Sequence, residues 1–206
     1  MPPKETDSLI VFLHGVGSRS ASLLPLARQW APLLPGAEIA APDGPAVFDG
    51  DGAGRQWFSV DGVNDANRPQ RIEAARAGFD ETLRKAVDEH GLLDRLDRVV
   101  LVGFSQGAIM ALDAVATGRW PVAAVVAYCG RLASPTPLTP SKSTRVLLVH
   151  GAEDQVIAAR HSTEAAAMLG NLGLDAQSRI LPLAGHTITA EGAQLGVEFV
   201  AGALAA

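Results

Sequence analysis

Apolar residues fall along this chain in short unbroken runs separated by longer stretches of mixed character. The clearest runs are residues 9–13 (LIVFL), 99–102 (VVLV), 122–127 and 146–149 (VLLV). None alternates with polar residues. Runs of this length without alternation predict strands buried on both faces, as in a parallel sheet. Residues 37–41 and 178–181 predict two weaker strands. Between the runs the spacing changes. Over residues 70–89, Ile72, Ala75, Phe79, Leu83 and Val87 recur at three- and four-residue intervals with charges between them. That spacing predicts a helix with one apolar face, stopped near Gly91. Residues 22–34, 108–116, 157–169 and 190–204 also predict helices, the first interrupted by Pro25 and Pro32. Strand alternating with helix predicts a mostly parallel central sheet with helices on both faces. Residues 42–69 and 134–144 are rich in Gly, Pro and polar residues and predict surface loops. The first is long for a compact domain, and such loops are often functional. No repeat and no internal boundary stands out, so residues 1–206 predict a single domain.

One junction carries chemistry. Gly103-Phe104-Ser105-Gln106-Gly107 lies between the 99–102 strand and the 108–116 helix. A serine at a sharp strand-to-helix bend, flanked by glycines, is the geometry of a nucleophile elbow. A serine hydroxyl needs a neighbouring base and an acid that orients the base. In chain order, Asp154 follows the 146–149 strand and His186 follows the 178–181 strand, so each is placed at the same sheet edge as Ser105. Glu153 competes with Asp154, and a helix N-cap is the other reading of Asp154. His90 at a helix end, His161 within a helix and His150 on the strand before Asp154 fit the base less well. His14-Gly15-Val16-Gly17 directly follows the first strand. A loop there can aim the N–H of Val16 at a substrate oxygen, beside the N–H of Gln106. Each such donor is worth about 3 kcal/mol at the transition state. His14 itself reads as a loop brace. Cys129 reads as a small buried apolar residue, and Met110 and Leu112 as core.

Composition narrows the classes. The net charge of −5 argues against nucleic acid, which needs clustered Lys and Arg. One cysteine excludes an intrachain disulfide. The polar start, residues 1–7, does not read as a leader, and no run approaches the ~18 apolar residues of a membrane span. The expectation is a cytoplasmic chain without stable membrane insertion. No P-loop and no Cys/His cluster of zinc spacing is present, so neither metal nor organic cofactor is expected.

Four segments in this order and spacing resemble the phospholipase/carboxylesterase family of α/β-hydrolases, which includes acyl-protein thioesterases. They are Leu13-His14-Gly15-Val16-Gly17, Gly103-Phe104-Ser105-Gln106-Gly107-Ala108, His150-Gly151-Ala152-Glu153-Asp154-Gln155-Val156-Ile157 and Gly185-His186-Thr187-Ile188. Arg55-Gln56-Trp57-Phe58 resembles the family's aromatic segment before the long helix. The chain departs from the family at Ser18, where Asp is usual, and at Ala108, where Gly is frequent. The resemblance implies an α/β-hydrolase with a small or absent cap, Ser105, Asp154 and His186 as catalytic residues, and Val16 and Gln106 as oxyanion donors. It implies cleavage of small-molecule carboxylic esters or thioesters through an acyl-serine. Trp57, Phe58 and the two long loops are expected to wall the substrate pocket. An amidase or peptidase with the same residues, and a ligand-binding member without turnover, stay open as alternatives. Acyl length, leaving group and oligomeric state are not written in the chain.

Overall fold

The computed structural model of the chain describes residues 7–205; the residues before Asp7 and the last residue lie outside them, including most of the segment that carries the leader reading. The elements run β1 (Ser8–Leu13), α1 (Leu24–Trp30), β2 (Ala37–Ala40), β3 (Ala46–Val47), β4 (Arg55–Gln56), α2 (Arg68–Asp88), β5 (Val99–Phe104), α3 (Gln106–Ala116), β6 (Ala124–Tyr128), β7 (Arg145–Gly151), α4 (Arg160–Asn171), β8 (Asp175–Leu181) and α5 (Ala190–Leu204). Six strands form one sheet in the order β2-β1-β5-β6-β7-β8, and every pairing in it is parallel. The mostly parallel α/β architecture expected from the runs is the one observed.

Burial on both faces explains the unbroken runs. Along β1, Leu9, Val11 and Leu13 join one core while Ile10 and Phe12 join the other. Along β5, Val99 and Leu101 face the first core, and Val100 and Val102 the second. Residues of α2, α3 and α4 complete the first core, and residues of α1 and α5 the second. The period of two survives in the packing although hydropathy hides it.

In α2, buried Ile72, Phe79, Leu83 and Val87 fall on one stripe. All eleven residues of α3 are buried, since it lies between the sheet and α2. Its Asp113 is only 1% exposed at the side chain and is held by Arg76 and Arg119 at 2.8–3.0 Å. Helix α5 is capped by Thr189, whose hydroxyl accepts the Gly192 N–H at 3.0 Å.

Three expectations need correction. The helix expected over residues 22–34 is a seven-residue α1 between two 3₁₀ turns, Ser20–Leu23 and Ala31–Leu33. Pro25 suits a first helical turn, but Pro32 brings no N–H and tightens the end. The helix expected from residue 157 starts at Arg160. The Asp154 carboxylate takes the N–H groups of Val156 and Ile157 and holds a separate turn there. Residues 42–69 contain the β3–β4 hairpin, tied to the loop after β1 by the Ser18–Arg55 bridge.

The strand order reverses between β1 and β5. The chain goes outward from β1 to β2, then returns across β1 to continue at β5. Open α/β sheets bind ligands in the crevice beyond the carboxyl ends at such a switch point. The loop after β1 and Ser105 after β5 lie at that crevice. Residues 129–144, between β6 and β7, contain no helix, so no cap rises there.

Candidate active site

Ser105 occupies the bend between β5 and α3 with φ 51° and ψ −114°. A non-glycine residue in that region stores about 1–3 kcal/mol, which the surroundings must hold. Its N–H donates to Tyr128 O at 2.9 Å and its carbonyl accepts from Ile109 N–H at 3.0 Å. Gly107 is required by close approach, because a Cβ there would collide with Leu13 O. Ala108, the departure from the family pattern, finds room because its methyl faces Gly130, where a second Cβ would stand 2.6 Å away.

Ser105, His186 and Asp154 form one hydrogen-bonded line. Ser105 Oγ is 2.9 Å from His186 Nε2, and His186 Nδ1 is 2.7 Å from Asp154 Oδ2. A carboxylate only accepts, so Nδ1 carries the proton and bare Nε2 accepts from the serine hydroxyl. Asp154 Oδ1 accepts from Val156 and Ile157 N–H at 2.8 and 2.9 Å. The capping role and the role beside His186 are therefore served by different oxygens of one carboxylate. Burial alone would push this carboxyl up; the Ile157 N–H, His186 and the Val156 N–H outweigh it and hold it below the ordinary range. Glu153 is exposed.

The His186 loop reaches back because β7 ends in Gly151. Any Cβ there would strike the carbonyls of Ala184 and Gly185. Backbone bonds from Ala152 to Leu181 O and from Glu153 to Ala184 O close the junction. The Phe104 ring packs on the imidazole at 5.1 Å. Behind it, Cys129 Sγ lies 3.5 Å from Thr187 O, and burial pushes its thiol up to about 11. Cys129, His150 and Asp154 bring metal-ligand atoms within 4.8 Å of one another. His150 Nε2 and both Asp154 oxygens already hold hydrogen-bond partners, so the cluster serves packing around the carboxylate.

Val16 lines the cavity next to Ser105, and Gln106 is the first residue of α3. Neither backbone N–H donates to another group among the described residues. The loop carrying Val16 is braced by His14, which is fully buried. Gly44 N–H must donate to His14 Nε2 at 2.9 Å, so Nδ1 carries the proton and donates to Gly15 O at 2.7 Å. The imidazole is thus neutral, and burial lowers its pKa. With Ser18 in place of Asp, the outer loop is anchored instead by Asp43, which accepts from Ser20 N–H at 2.7 Å and Arg19 at 3.0 Å.

A cavity of about 710 Å³ opens above Ser105 and His186. Leu23, Pro25, Leu26, Val156, Ile188 and Ala193 supply much of its apolar lining, with Ser18, Ser22 and Gln29 among the polar groups. It lies on the α1/α5 side of the sheet. Trp57 and Phe58, expected in its wall, are absent from its lining and belong to the core on the other side, at 2% and 6% exposure. Neither long loop, 42–69 or 134–144, lines it either. Polar partners draw the two aromatics inward. Trp57 Nε1 donates to His14 O at 2.8 Å, Trp57 N–H to Gln106 Oε1 at 2.8 Å, and Gln106 Nε2 to Phe58 O at 2.7 Å. Their task is to staple the elbow to the loop after β1. The sequence signal for that role was the amide side chain of Gln106, read only for its backbone. His150, passed over as a strand residue, ends beside Asp154.

The chain is similar to Esterase YpfH of Escherichia coli, 36% identical over 96% of this chain and 83% of the relative. It is similar to acyl-protein thioesterase 1 of Neurospora crassa, 26% identical over 88% of this chain and 81% of the relative. Among solved structures, esterase PE8 superposes with a TM-score of 0.85 at 30% identity, covering 98% of this chain and 96% of that one. A carboxylesterase from Mesorhizobium loti gives 0.80 at 26%, covering 96% and 90%. The family model described as phospholipase/carboxylesterase matches residues 1–203, and the chain belongs to that family of hydrolytic enzymes on the α/β-hydrolase fold.

Proposed function

We propose that the chain, acting as one domain, cleaves small-molecule carboxylic esters, and thioesters, through an acyl-Ser105 intermediate. The observation that carries this reading is the continuous line from Ser105 Oγ through His186 to Asp154 at the floor of an apolar cavity.

Ser105 Oγ attacks the acyl carbonyl while His186 Nε2 takes its proton. The N–H groups of Val16 and Gln106 receive the oxyanion. Their lack of other partners supports that role, since a donor already paired would have to break a bond first. Collapse expels the alcohol or thiol, which leaves with the proton from His186. Water then attacks the acyl-serine, His186 takes its proton and hands it to Ser105 Oγ as the tetrahedral adduct collapses, and the acid departs. Asp154 stays ionised and fixes the His186 tautomer; its lowered pKa supports this. The acyl group lies among Leu23, Leu26, Val156 and Ile188. The thioester arm draws on the thioesterase name of the Neurospora crassa relative.

The test is a panel of p-nitrophenyl esters from acetyl to palmitoyl beside the matching p-nitroanilides and acyl thioesters. Ester and thioester turnover with little anilide cleavage is the expected result. Anilide turnover equal to ester turnover would assign the site to amide hydrolysis. Absence of any turnover, with no labelling by a fluorophosphonate, would assign the chain to ligand binding.

A further inference from the structure

His150 is buried without exposure at the end of β7, and the reaction described above does not use it. Both of its nitrogens are nevertheless engaged. Nε2 lies 2.8 Å from Ile157 O, and Nδ1 lies 2.7 Å from Ser162 Oγ on α4, also fully buried. A carbonyl oxygen cannot donate, so Nε2 carries a proton. In the neutral ring Nδ1 is then bare, and the Ser162 hydroxyl donates to it. The Ile157 carbonyl thereby selects the His150 tautomer, as Asp154 selects that of His186, and the Ser162 hydroxyl, donating to Nδ1, holds the ring in place.

The contacts converge on Asp154. Ile157 is gripped at both ends, its N–H by Asp154 Oδ1 at 2.9 Å and its carbonyl by His150 Nε2. The proton-bearing edge of His150 also stands 3.1 Å from Asp154 Oδ2, the oxygen that receives His186 Nδ1–H. The carboxylate therefore cannot rotate without breaking the Ile157 turn or moving away from the positive edge of His150. The acid sits between two imidazoles, one facing the cavity and one facing the core.

We propose that His150, set by Ser162, is a positioning residue for the reaction: it fixes the Asp154 carboxylate so that Oδ2 meets His186. The proposal rests on the Ser105–His186–Asp154 reading. Its physical scale follows from geometry, because a displacement of about 1 Å in a catalytic array lowers the rate roughly 100-fold. Backbone N–H groups alone would leave Oδ1 held and Oδ2 unguided.

The experiment compares wild type with His150→Leu, His150→Gln and Ser162→Ala. Each is assayed for kcat and KM per active site, titrated to completion with a fluorophosphonate. The low-field proton resonance of the Asp154–His186 hydrogen bond is recorded for each. The Gln amide nitrogen reaches the place of Nε2, keeping the donor to Ile157 O and losing the Ser162 contact. The expected result is a fall in kcat of about tenfold or more for His150→Leu at KM within twofold. Its low-field resonance broadens or disappears, and His150→Gln recovers most of both. Ser162→Ala shows a smaller loss of kcat at unchanged KM. A purely structural histidine would change the titrated fraction or the Tm and leave kcat per site alone. That outcome, or a Gln variant no better than Leu, overturns the proposal. Should the Leu variant fail to fold, the Ser162→Ala variant decides: wild-type kcat per site with an unchanged low-field resonance overturns the proposal. Ser105→Ala separates the two levels. If it is inactive while the His150 variants match wild type, only the positioning role falls. If it keeps wild-type activity, both fall.

Discussion

The two flanks of the elbow differ in how tightly they are filled. On the α1/α5 flank, small and aliphatic residues such as Ser22, Leu23, Pro25 and Ala193 leave a cavity open to Ser105. On the α2/α3 flank, Trp57 and Phe79 pack edge to face at 5.4 Å, and Gln106 stitches residues 57–58 to the elbow. Trp57 and Phe79 seal one flank, while Ser22, Leu23, Pro25 and Ala193 leave the other open beside Phe104. The same serine bend is thus backed by a rigid wall and fronted by space. This arrangement lets a strained residue keep its geometry while a substrate enters beside it.

The comparison can be broken first at the bend itself. Ser105→Ala should lower kcat by roughly 10⁴-fold or more while Tm stays near wild type, read by ester turnover and thermal melting. His186→Ala should lose about as much, and the double variant no more than either alone, because these groups act as a unit.

The sealed flank comes next. Trp57→Ala removes a buried indole and the hydrogen bond to His14 O, so stability should fall by about 3–5 kcal/mol in chemical denaturation. Activity should fall for all acyl lengths alike, since Trp57 touches the scaffold and not the cavity. The open flank should respond in the reverse way. Leu26→Trp should leave stability within about 1–3 kcal/mol of wild type and hydrolysis of acetyl esters nearly unchanged, while turnover of long-chain esters drops. If Trp57→Ala altered chain-length preference and Leu26→Trp did not, the assignment of the two flanks would be reversed.

Acid should weaken the fold in two stages. His14 is held neutral in the fold by burial, so its folded pKa lies below the unfolded value near 6.5. As pH falls through about 6.5 the unfolded chain gains a proton that the folded chain does not, and stability drops until the folded value is reached. Asp113 and Asp154 are carboxylates held below their ordinary range. Burial opposes this in both; Arg76 and Arg119 prevail at Asp113, and the Ile157 N–H and His186 prevail at Asp154. Their contribution is present above the unfolded carboxylate value, about 4, and is lost as pH falls through the folded values. Denaturant midpoints measured across pH 8 to 3 check both stages. A curve flat from pH 7 to 5 would remove the His14 stage. The smallest effect belongs to Thr189→Ala, which should cost about 1 kcal/mol through the lost α5 cap.

What the chain disclosed in advance follows physical lines. Strands β1, β5 and β7 were legible because both faces of each are buried, which leaves no polar residue to blur the run. The elbow was legible because Gly107 is demanded by the close approach of Leu13 O, and a glycine-flanked serine between a strand and a helix is a pattern visible in the chain. Segment α1 was misread because periodicity ignores what Pro32 does to a helix end. The tryptophan at 57 was misplaced because a wall residue and a core residue have the same chemistry; only the partners His14 O and Gln106 Oε1 distinguish them. The engagement of His150 was invisible because Ile157 O and Ser162 Oγ meet it only after β7, the turn and α4 are folded together.

The most direct measurement is mass mapping of the adduct left by a fluorophosphonate, followed by trapping of the acyl group from a p-nitrophenyl ester. One adduct per chain on the peptide containing Ser105, formed more slowly when ester competes and absent from the Ser105→Ala protein, is the predicted result. An adduct on another residue, or ester turnover by Ser105→Ala at the wild-type rate, would contradict it.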